Sequence, residues 1–165
     1  AVSLLAENEN LVVVQTCSKS RGLAGLRIGF ALGSVEMIEG LTRMKDSFNS
    51  YPLDQLAQVG ATAAFSDVAY FDETRNKVIA TREKFAKDIQ IAGYTVVQSS
   101  ANFLLVRHPK IEGAEFQSLL RVRGVLARYL SGEKLASYIR ITIGTDSQMD
   151  FVANIFRELI DHSND

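Results

Sequence analysis

A short segment near the start of the chain brings hydroxyl groups, a lysine and an arginine close together in sequence. Thr16 and Ser18 carry the hydroxyls, Lys19 follows directly, and Arg27 comes shortly after them. Each hydroxyl can donate one hydrogen bond and a guanidinium can donate two in parallel, a set of donors that suits a phosphate group. A lysine amine in the same loop can react with a ligand carbonyl to form a Schiff base. The segment is therefore a candidate site for a phosphorylated carbonyl compound.

These residue types also have ordinary explanations. A lone lysine or arginine is usually a solvated surface residue. The nearest other phosphate motif, the P-loop, requires Gly-x-x-x-x-Gly-Lys-Ser/Thr, which this sequence lacks. Cys17 is expected to be a small buried hydrophobe rather than a nucleophile, because no histidine lies near it in the sequence.

The position of the segment favours a site over these explanations. Residues 11–14 before it and 28–33 after it are short apolar stretches of strand length, and such continuous apolar stretches predict buried strands. Ligand sites of α/β sheets lie just past the carboxyl ends of strands, which is where the segment begins. We therefore expect two buried strands to position Lys19.

The segment also resembles a known signature. Residues 18–30 run Ser-Lys-Ser-Arg-Gly-Leu-Ala-Gly-Leu-Arg-Ile-Gly-Phe, which is similar to the pyridoxal-phosphate lysine signature of fold-type I aminotransferases. Residues 47–52 and 139–144 make the chain most similar to the histidinol-phosphate aminotransferase branch. The resemblance implies that Lys19 is catalytic and holds pyridoxal 5′-phosphate as a Schiff base. It also implies that Thr16, Ser18 and Arg27 bind the cofactor phosphate.

Two further arginines are candidate substrate-binding residues. The isoleucines at positions 139, 141 and 143 alternate with Arg140, so the strand period of two predicts Arg140 on the face opposite the core. An arginine at such a position is ordinarily just a surface charge. By resemblance, however, Arg140 matches the arginine that binds a substrate carboxylate, and Arg128 matches a second anion-binding arginine.

Neither histidine nor any other residue belongs to a cluster with metal-ligand spacing.

The resemblance implies a reaction and a setting. An amino group passes between an amine or amino acid and a 2-oxo acid, and histidinol phosphate with glutamate or 2-oxoglutarate is the expected pair, in histidine biosynthesis. The enzyme is expected to be a cytoplasmic homodimer. Two alternatives stay open: another fold-type I enzyme, such as an aromatic aminotransferase, lyase or decarboxylase, and a folded but inactive fragment.

The implied fold is α/β, the C-terminal portion of the fold-type I pyridoxal-phosphate transferase fold. In that family the lysine lies about halfway along the chain or later, whereas here it is residue 19. We expect residues 1–50 to be a remnant of the large cofactor-binding domain, 51–93 to be inter-domain helices, and 94–165 to be a small α+β domain. Because the family holds the pyridine ring with residues upstream of the lysine, this chain alone is expected to be inactive.

Local patterns predict the elements around these residues. Apolar residues at helical spacing predict helices within residues 35–48, 53–64, 67–92, 113–123 and 146–159. Ser34 is a predicted N-cap of the first helix, whose apolar face is expected to pack on the sheet. Strands are predicted at 94–98, 103–107, 125–129 and 138–143. Thr145 and Gln148 have the spacing of a capping box, and Gly93 and Gly124 are predicted helix ends.

The composition excludes several classes of protein. With 47% hydrophobic residues, 22% charged residues and a net charge of −1, the chain has the composition of an ordinary globular protein. That charge balance gives no reason to expect a nucleic acid or an anionic membrane as partner. The single cysteine allows no intrachain disulfide, which fits a reducing cytoplasm.

Overall fold

The computed structural model describes residues 1–161. The chain forms two compact units, Ala1–Glu73 and Thr74–Asp165, each with its own apolar core. The finer division into a 1–50 remnant, linking helices and a small domain stays a prediction.

The first unit is built on a pair of antiparallel strands with helices after them. β1 (Val13–Thr16) pairs with β2 (Gly29–Leu32), so that Thr16 lies opposite Gly29. Between the strands are α1 (Cys17–Ser20) and a short 3₁₀ turn (Ala24–Leu26), and another 3₁₀ turn precedes β1 (Val2–Leu4). The helices α2 (Val35–Phe48) and α3 (Gln55–Ser66) follow, and α4 (Val68–Ile91) begins in this unit.

The small core of this unit lies at the ends of the two strands rather than along them. Its buried residues are Cys17, Ile28 and Ala57. Both predicted strands form, but they are not buried: no residue of β1 or β2 is buried and Val14 is 73% exposed, although Ile28 just before β2 is buried. A sheet of two strands gives each strand only one neighbour and leaves most of its apolar area uncovered.

The predicted packing of α2 on the sheet is also wrong. Ser34 does cap the helix, because its Oγ accepts a hydrogen bond from the Met37 backbone N–H at 3.4 Å. However, no residue of α2 is buried, and Phe48 is 96% exposed. A helix of 14 residues is about 21 Å long, whereas a strand of four residues spans only about 13 Å. The two-stranded sheet is therefore too small to cover this face.

The second unit is an antiparallel sheet covered by helices. The strands β3 (Thr95–Val97), β4 (Phe103–Arg107), β5 (Arg128–Tyr129) and β6 (Ile139–Thr142) pair in the order β3-β4-β6-β5. They pack with α4, α5 (Gly113–Val122) and α6 (Asp146–Asp161) around a large apolar core, which includes Phe85, Leu104, Phe116, Ile139 and Phe156. Every strand of this sheet runs antiparallel to its neighbours.

Helix ends in this unit follow the sequence signals. Gly93 and Gly124 have positive φ angles of 102° and 79°, as required at the end of a helix in a Schellman motif. At the second of these ends the Val125 N–H donates to the Leu120 carbonyl at 2.9 Å. This bond keeps Val125 in the helix end, so β5 begins only at Arg128 and is shorter than the predicted strand at 125–129.

The capping box before α6 is confirmed. The Thr145 N–H donates to the Gln148 side-chain oxygen at 2.9 Å, and the Gln148 N–H donates to the Thr145 Oγ1 at 3.4 Å. These two bonds satisfy backbone donors that have no partner within the helix. They also define where the chain turns after β6, the strand that carries Arg140.

Candidate functional site

Thr16 connects β1 to the short helix that carries Lys19. It has extended backbone angles and is the N-cap of α1, where its Oγ1 accepts a hydrogen bond from the Ser18 N–H at 3.1 Å. The same oxygen lies 2.8 Å from the Ser18 Oγ. The structure therefore brings together the two hydroxyls that the sequence predicts as phosphate ligands.

Lys19 lies on the exposed side of α1. Two residues before it in the sequence, the buried Cys17 donates its backbone N–H to the Ile28 carbonyl at 3.0 Å, which ties the start of α1 to the end of the loop. Among the described residues, the Lys19 Nζ has no hydrogen-bond or ion-pair partner. Its amine is therefore not held by another group of the described chain.

Arg27 has an unusual backbone conformation. Its φ of 54° places it in the left-handed region, and it is the only non-glycine residue with positive φ in the described part of the chain. Its Nη1 donates to the Ala24 carbonyl at 3.1 Å, and the side chain is exposed. Non-glycine residues in this region are strained and occur preferentially at functional sites.

The electrostatics of this loop favour an anion. Residues 11–35 contain three basic residues and no aspartate or glutamate. The paired hydroxyls and the Arg27 guanidinium have no carboxylate within the same segment, and such donors suit a phosphate monoester. The residues present therefore fit the phosphate group that the sequence resemblance implies.

The two predicted substrate residues meet in the sheet of the second unit. Arg128 of β5 lies directly opposite Arg140 of β6 in the antiparallel register. Residues opposite one another project from the same face, with their Cβ atoms about 5 Å apart. The flanking Ile139 and Ile141 are buried, which confirms that Arg140 projects from the face opposite the core.

The pair of arginines is not neutralised by neighbouring strand residues. None of the four strands contains an acidic residue. Like charges directly opposite one another destabilise a sheet. An anion bound between the two guanidinium groups would remove that repulsion, so the pair has the properties of an anion-binding site.

Phe103 is a neighbour of Arg140 to which the sequence analysis assigned no role. The Arg140 guanidinium carbon lies 5.1 Å from the centre of the Phe103 ring, within the range of a cation–π interaction. The Arg140 Nε is buried and has no hydrogen-bond partner among the described residues. Only the register of β4 and β6 identifies this contact, since 36 residues separate the two positions in the chain.

Comparison with known proteins gives the family. A family model described as "Aminotransferase class I and II" matches residues 1–156. The chain belongs to this family. It is 52% identical over 160 residues to a histidinol-phosphate aminotransferase from Acetobacter pasteurianus, covering 97% of this chain and 45% of that protein.

Solved structures of aminotransferases have the same fold as this chain. The histidinol-phosphate aminotransferase from Clostridium acetobutylicum matches with a TM-score of 0.87 and 18% identity, over 98% of this chain and 49% of that one. The enzyme from Sinorhizobium meliloti, solved in complex with pyridoxal 5′-phosphate, matches with a TM-score of 0.78 and 27% identity, over 93% of this chain and 42% of that one. The predicted α/β fold of fold-type I is confirmed. The chain spans less than half the length of the relatives described here.

The structure contains no sign of a membrane span or of a metal centre in the part that it describes. No helix within residues 1–161 is long and apolar enough to cross a bilayer. No three histidine, cysteine, aspartate or glutamate side chains in the same range are grouped so that they could hold a metal ion.

Proposed function

We propose that the protein containing this chain is a pyridoxal-phosphate-dependent aminotransferase that acts on histidinol phosphate, with glutamate and 2-oxoglutarate as the other substrate pair, in histidine biosynthesis. The observation that carries this proposal is that Lys19, on the short helix α1, directly follows the paired hydroxyls of Thr16 and Ser18 and has no hydrogen-bond or ion-pair partner among the described residues. The similarity of almost the whole chain to a histidinol-phosphate aminotransferase supports the choice of substrate.

The cofactor-binding part of the proposal rests on four residues. Lys19 would hold the cofactor through its ε-amine, while Thr16, Ser18 and Arg27 would donate hydrogen bonds to its phosphate. Bound pyridoxal phosphate supplies an electron sink that stabilises negative charge on the substrate carbon when its proton is removed. The left-handed backbone of Arg27 supports this assignment, because strained non-glycine residues cluster at ligand-binding sites.

Lys19 is also the residue proposed to move the proton. A general base must be able to reach the proton that it removes and return it to another atom. The lack of any partner for Nζ within the described chain leaves the side chain free to move toward that proton. The cap formed by Thr16 keeps the α1 backbone in place while the side chain moves.

Arg128 and Arg140 are proposed to bind the acidic groups of the substrate. Two adjacent guanidinium groups can each form parallel hydrogen bonds to a phosphate or carboxylate. Histidinol phosphate provides a phosphate, and glutamate provides two carboxylates. The repulsion between the opposed arginines supports a doubly charged substrate over a singly charged one.

We further propose that the enzyme is a cytoplasmic homodimer.

Attachment at Lys19 can be tested directly. The natural protein that contains this chain is incubated with pyridoxal phosphate, reduced with borohydride and mapped by peptide mass spectrometry. We expect the pyridoxyl adduct on Lys19 and not on Lys45, an exposed lysine of the same unit that pairs with Asp46. An adduct on Lys45, or an equal adduct in a Lys19→Arg variant, would contradict the proposal.

Substrate choice needs a separate measurement. Rates with histidinol phosphate, an aromatic amino acid and glutamate are compared, and carbon dioxide release is followed in parallel. The proposal requires histidinol phosphate to have the highest kcat/KM and carbon dioxide release to be absent. Preference for the aromatic amino acid, or release of carbon dioxide, would instead indicate another fold-type I enzyme.

A further inference from the structure

Arg21 is a basic residue of the lysine loop for which the proposed chemistry has no use. It follows α1 directly and is half-buried. Its Nη1 donates a hydrogen bond to the Ala64 carbonyl at 3.1 Å, across 43 positions of the sequence. The side chain therefore reaches α3.

The carbonyl that Arg21 reaches is one that a helix leaves unsatisfied. Ala64 is in the last turn of α3, which ends at Ser66. The last four carbonyls of a helix have no partner within it and carry the negative end of the helix dipole. A guanidinium at this position satisfies one carbonyl and places a positive charge where the dipole favours it.

Two aromatic rings hold the same guanidinium. Its central carbon lies 3.8 Å from the centre of the Phe71 ring and 4.8 Å from that of Phe65, both well within cation–π range. Phe65 also packs edge-on against Phe30 of β2, with ring centres 5.5 Å apart. Arg21 thereby connects the end of α1 to α3, to the start of α4 and, through Phe65, to β2.

These contacts complete the support of the turn that carries Lys19. Thr16 caps the beginning of α1, and the backbone of Cys17 is bonded to Ile28. At the other end, the Arg21 and Leu23 N–H groups donate to the Cys17 carbonyl, and the Gly22 N–H donates to the Lys19 carbonyl. A helix of only four residues has little stability of its own, so the long-range contacts of the Arg21 side chain help to hold its C-terminal end.

We infer that Arg21 is a positioning residue for Lys19: by binding the C-terminal end of α3 and the rings of Phe65 and Phe71, it fixes the turn from which the reactive amine projects. This inference rests on the proposed function of Lys19. Small displacements of a reacting group reduce turnover strongly, since misplacement by about 1 Å can cost roughly a hundredfold in rate.

The test compares three variants of the natural protein that contains this chain. Arg21→Met keeps an unbranched stem but removes the guanidinium, and Arg21→Lys keeps the charge. Arg43→Met is the matched control, because the Arg43 side chain is 81% exposed and only pairs with Glu39 on the surface of α2. Hydrogen–deuterium exchange is measured without the cofactor at the backbone amides of residues 21–23. Then kcat, KM and the pH dependence of the bound cofactor's absorbance are measured.

For Arg21→Met we expect faster exchange confined to residues 21–23 and their neighbours in the loop. We also expect a fall in kcat of roughly tenfold to hundredfold with KM changed less than twofold, together with a shifted absorbance titration. Arg21→Lys should recover part of kcat, and Arg43→Met should match the parent.

The inference is overturned if Arg21→Met exchanges and turns over like the parent. It is also overturned if exchange rises throughout the first unit and kcat falls only in proportion to the folded fraction, which is the result expected of a general stability residue. The exchange measurement needs no cofactor. It therefore tests whether Arg21 fixes this turn separately from the adduct mapping, which tests the role of Lys19.

Discussion

The left-handed backbone of Arg27 allows stability and function to be separated with one substitution. Arg27→Gly removes the guanidinium proposed to bind the cofactor phosphate and replaces a strained residue with one that tolerates a φ of 54°. Most substitutions at binding residues alter the fold as well. Here the two effects are expected to have opposite signs.

The magnitudes follow from the local geometry. A non-glycine residue in the left-handed conformation costs about 1–2 kcal/mol, and the greater flexibility of an unfolded chain with glycine costs about 0.5–1 kcal/mol. The lost bond from Nη1 to the Ala24 carbonyl is at an exposed site and contributes little. The free energy of unfolding should therefore stay the same or rise by about 1 kcal/mol. Loss of charge-assisted hydrogen bonds to the phosphate costs about 1.5–3 kcal/mol, roughly a tenfold to hundredfold weaker affinity.

Two measurements on the natural protein check this prediction. Urea unfolding without cofactor gives the free energy of unfolding, and titration with pyridoxal phosphate, followed by absorbance, gives the affinity. Arg27→Lys is the matched control, since it keeps the strained backbone and one positive charge but not the bidentate fork. A glycine variant with unchanged affinity and reduced stability would refute the reasoning, because Arg27 would then be a structural residue.

Two further predictions concern the second unit. Arg140→Ala should cost on the order of 2–5 kcal/mol in the half-reaction with glutamate, because it leaves a substrate carboxylate unpaired, while cofactor binding survives; full activity with glutamate would show that Arg140 is only a surface residue. Burial lowers the pKa of His108 below its usual value of 6.5, so the unfolded chain binds the proton more tightly than the folded one. The free energy of unfolding should thus be highest above about pH 6.5 and decrease as the pH falls through the lowered folded-state pKa. His108→Asn, whose oxygen can replace Nδ1 as acceptor for the Lys110 and Ile111 N–H groups, should flatten this dependence in urea unfolding, and an unchanged slope would assign it to other groups.

Local signals were sufficient to predict most of the elements. The N-cap at Ser34, the capping box at Thr145 and the glycine ends at Gly93 and Gly124 all lie where the sequence predicts them. Each depends on the hydrogen bonds or backbone freedom of residues within one helical turn, so neighbouring residues determine the outcome. The alternation of isoleucines around Arg140 is another local signal, and it correctly predicts which face of the strand is buried.

Burial in the first unit could not be predicted in this way. The apolar residues at 11–14 and on α2 have the pattern of buried elements, yet Val14 and Phe48 are exposed. A periodic pattern indicates that one face of a helix or strand is apolar enough to be buried. Whether that face is covered depends on the size and position of other elements. Two strands of four residues cannot cover a helix of 14 residues.

The family resemblance, the types of the candidate site residues and the local geometry of the helix ends follow from the order of residues alone. Which distant residues meet depends on the folded chain: Arg128 lies opposite Arg140, Phe103 lies beside the Arg140 guanidinium, and Arg21 lies against Phe65 and Phe71. Strand register and helix packing are set by the whole core, since a shift of one residue would move every side chain of a strand to the other face. No short-range pattern contains that information, because the partners are separated by up to 50 positions in the chain.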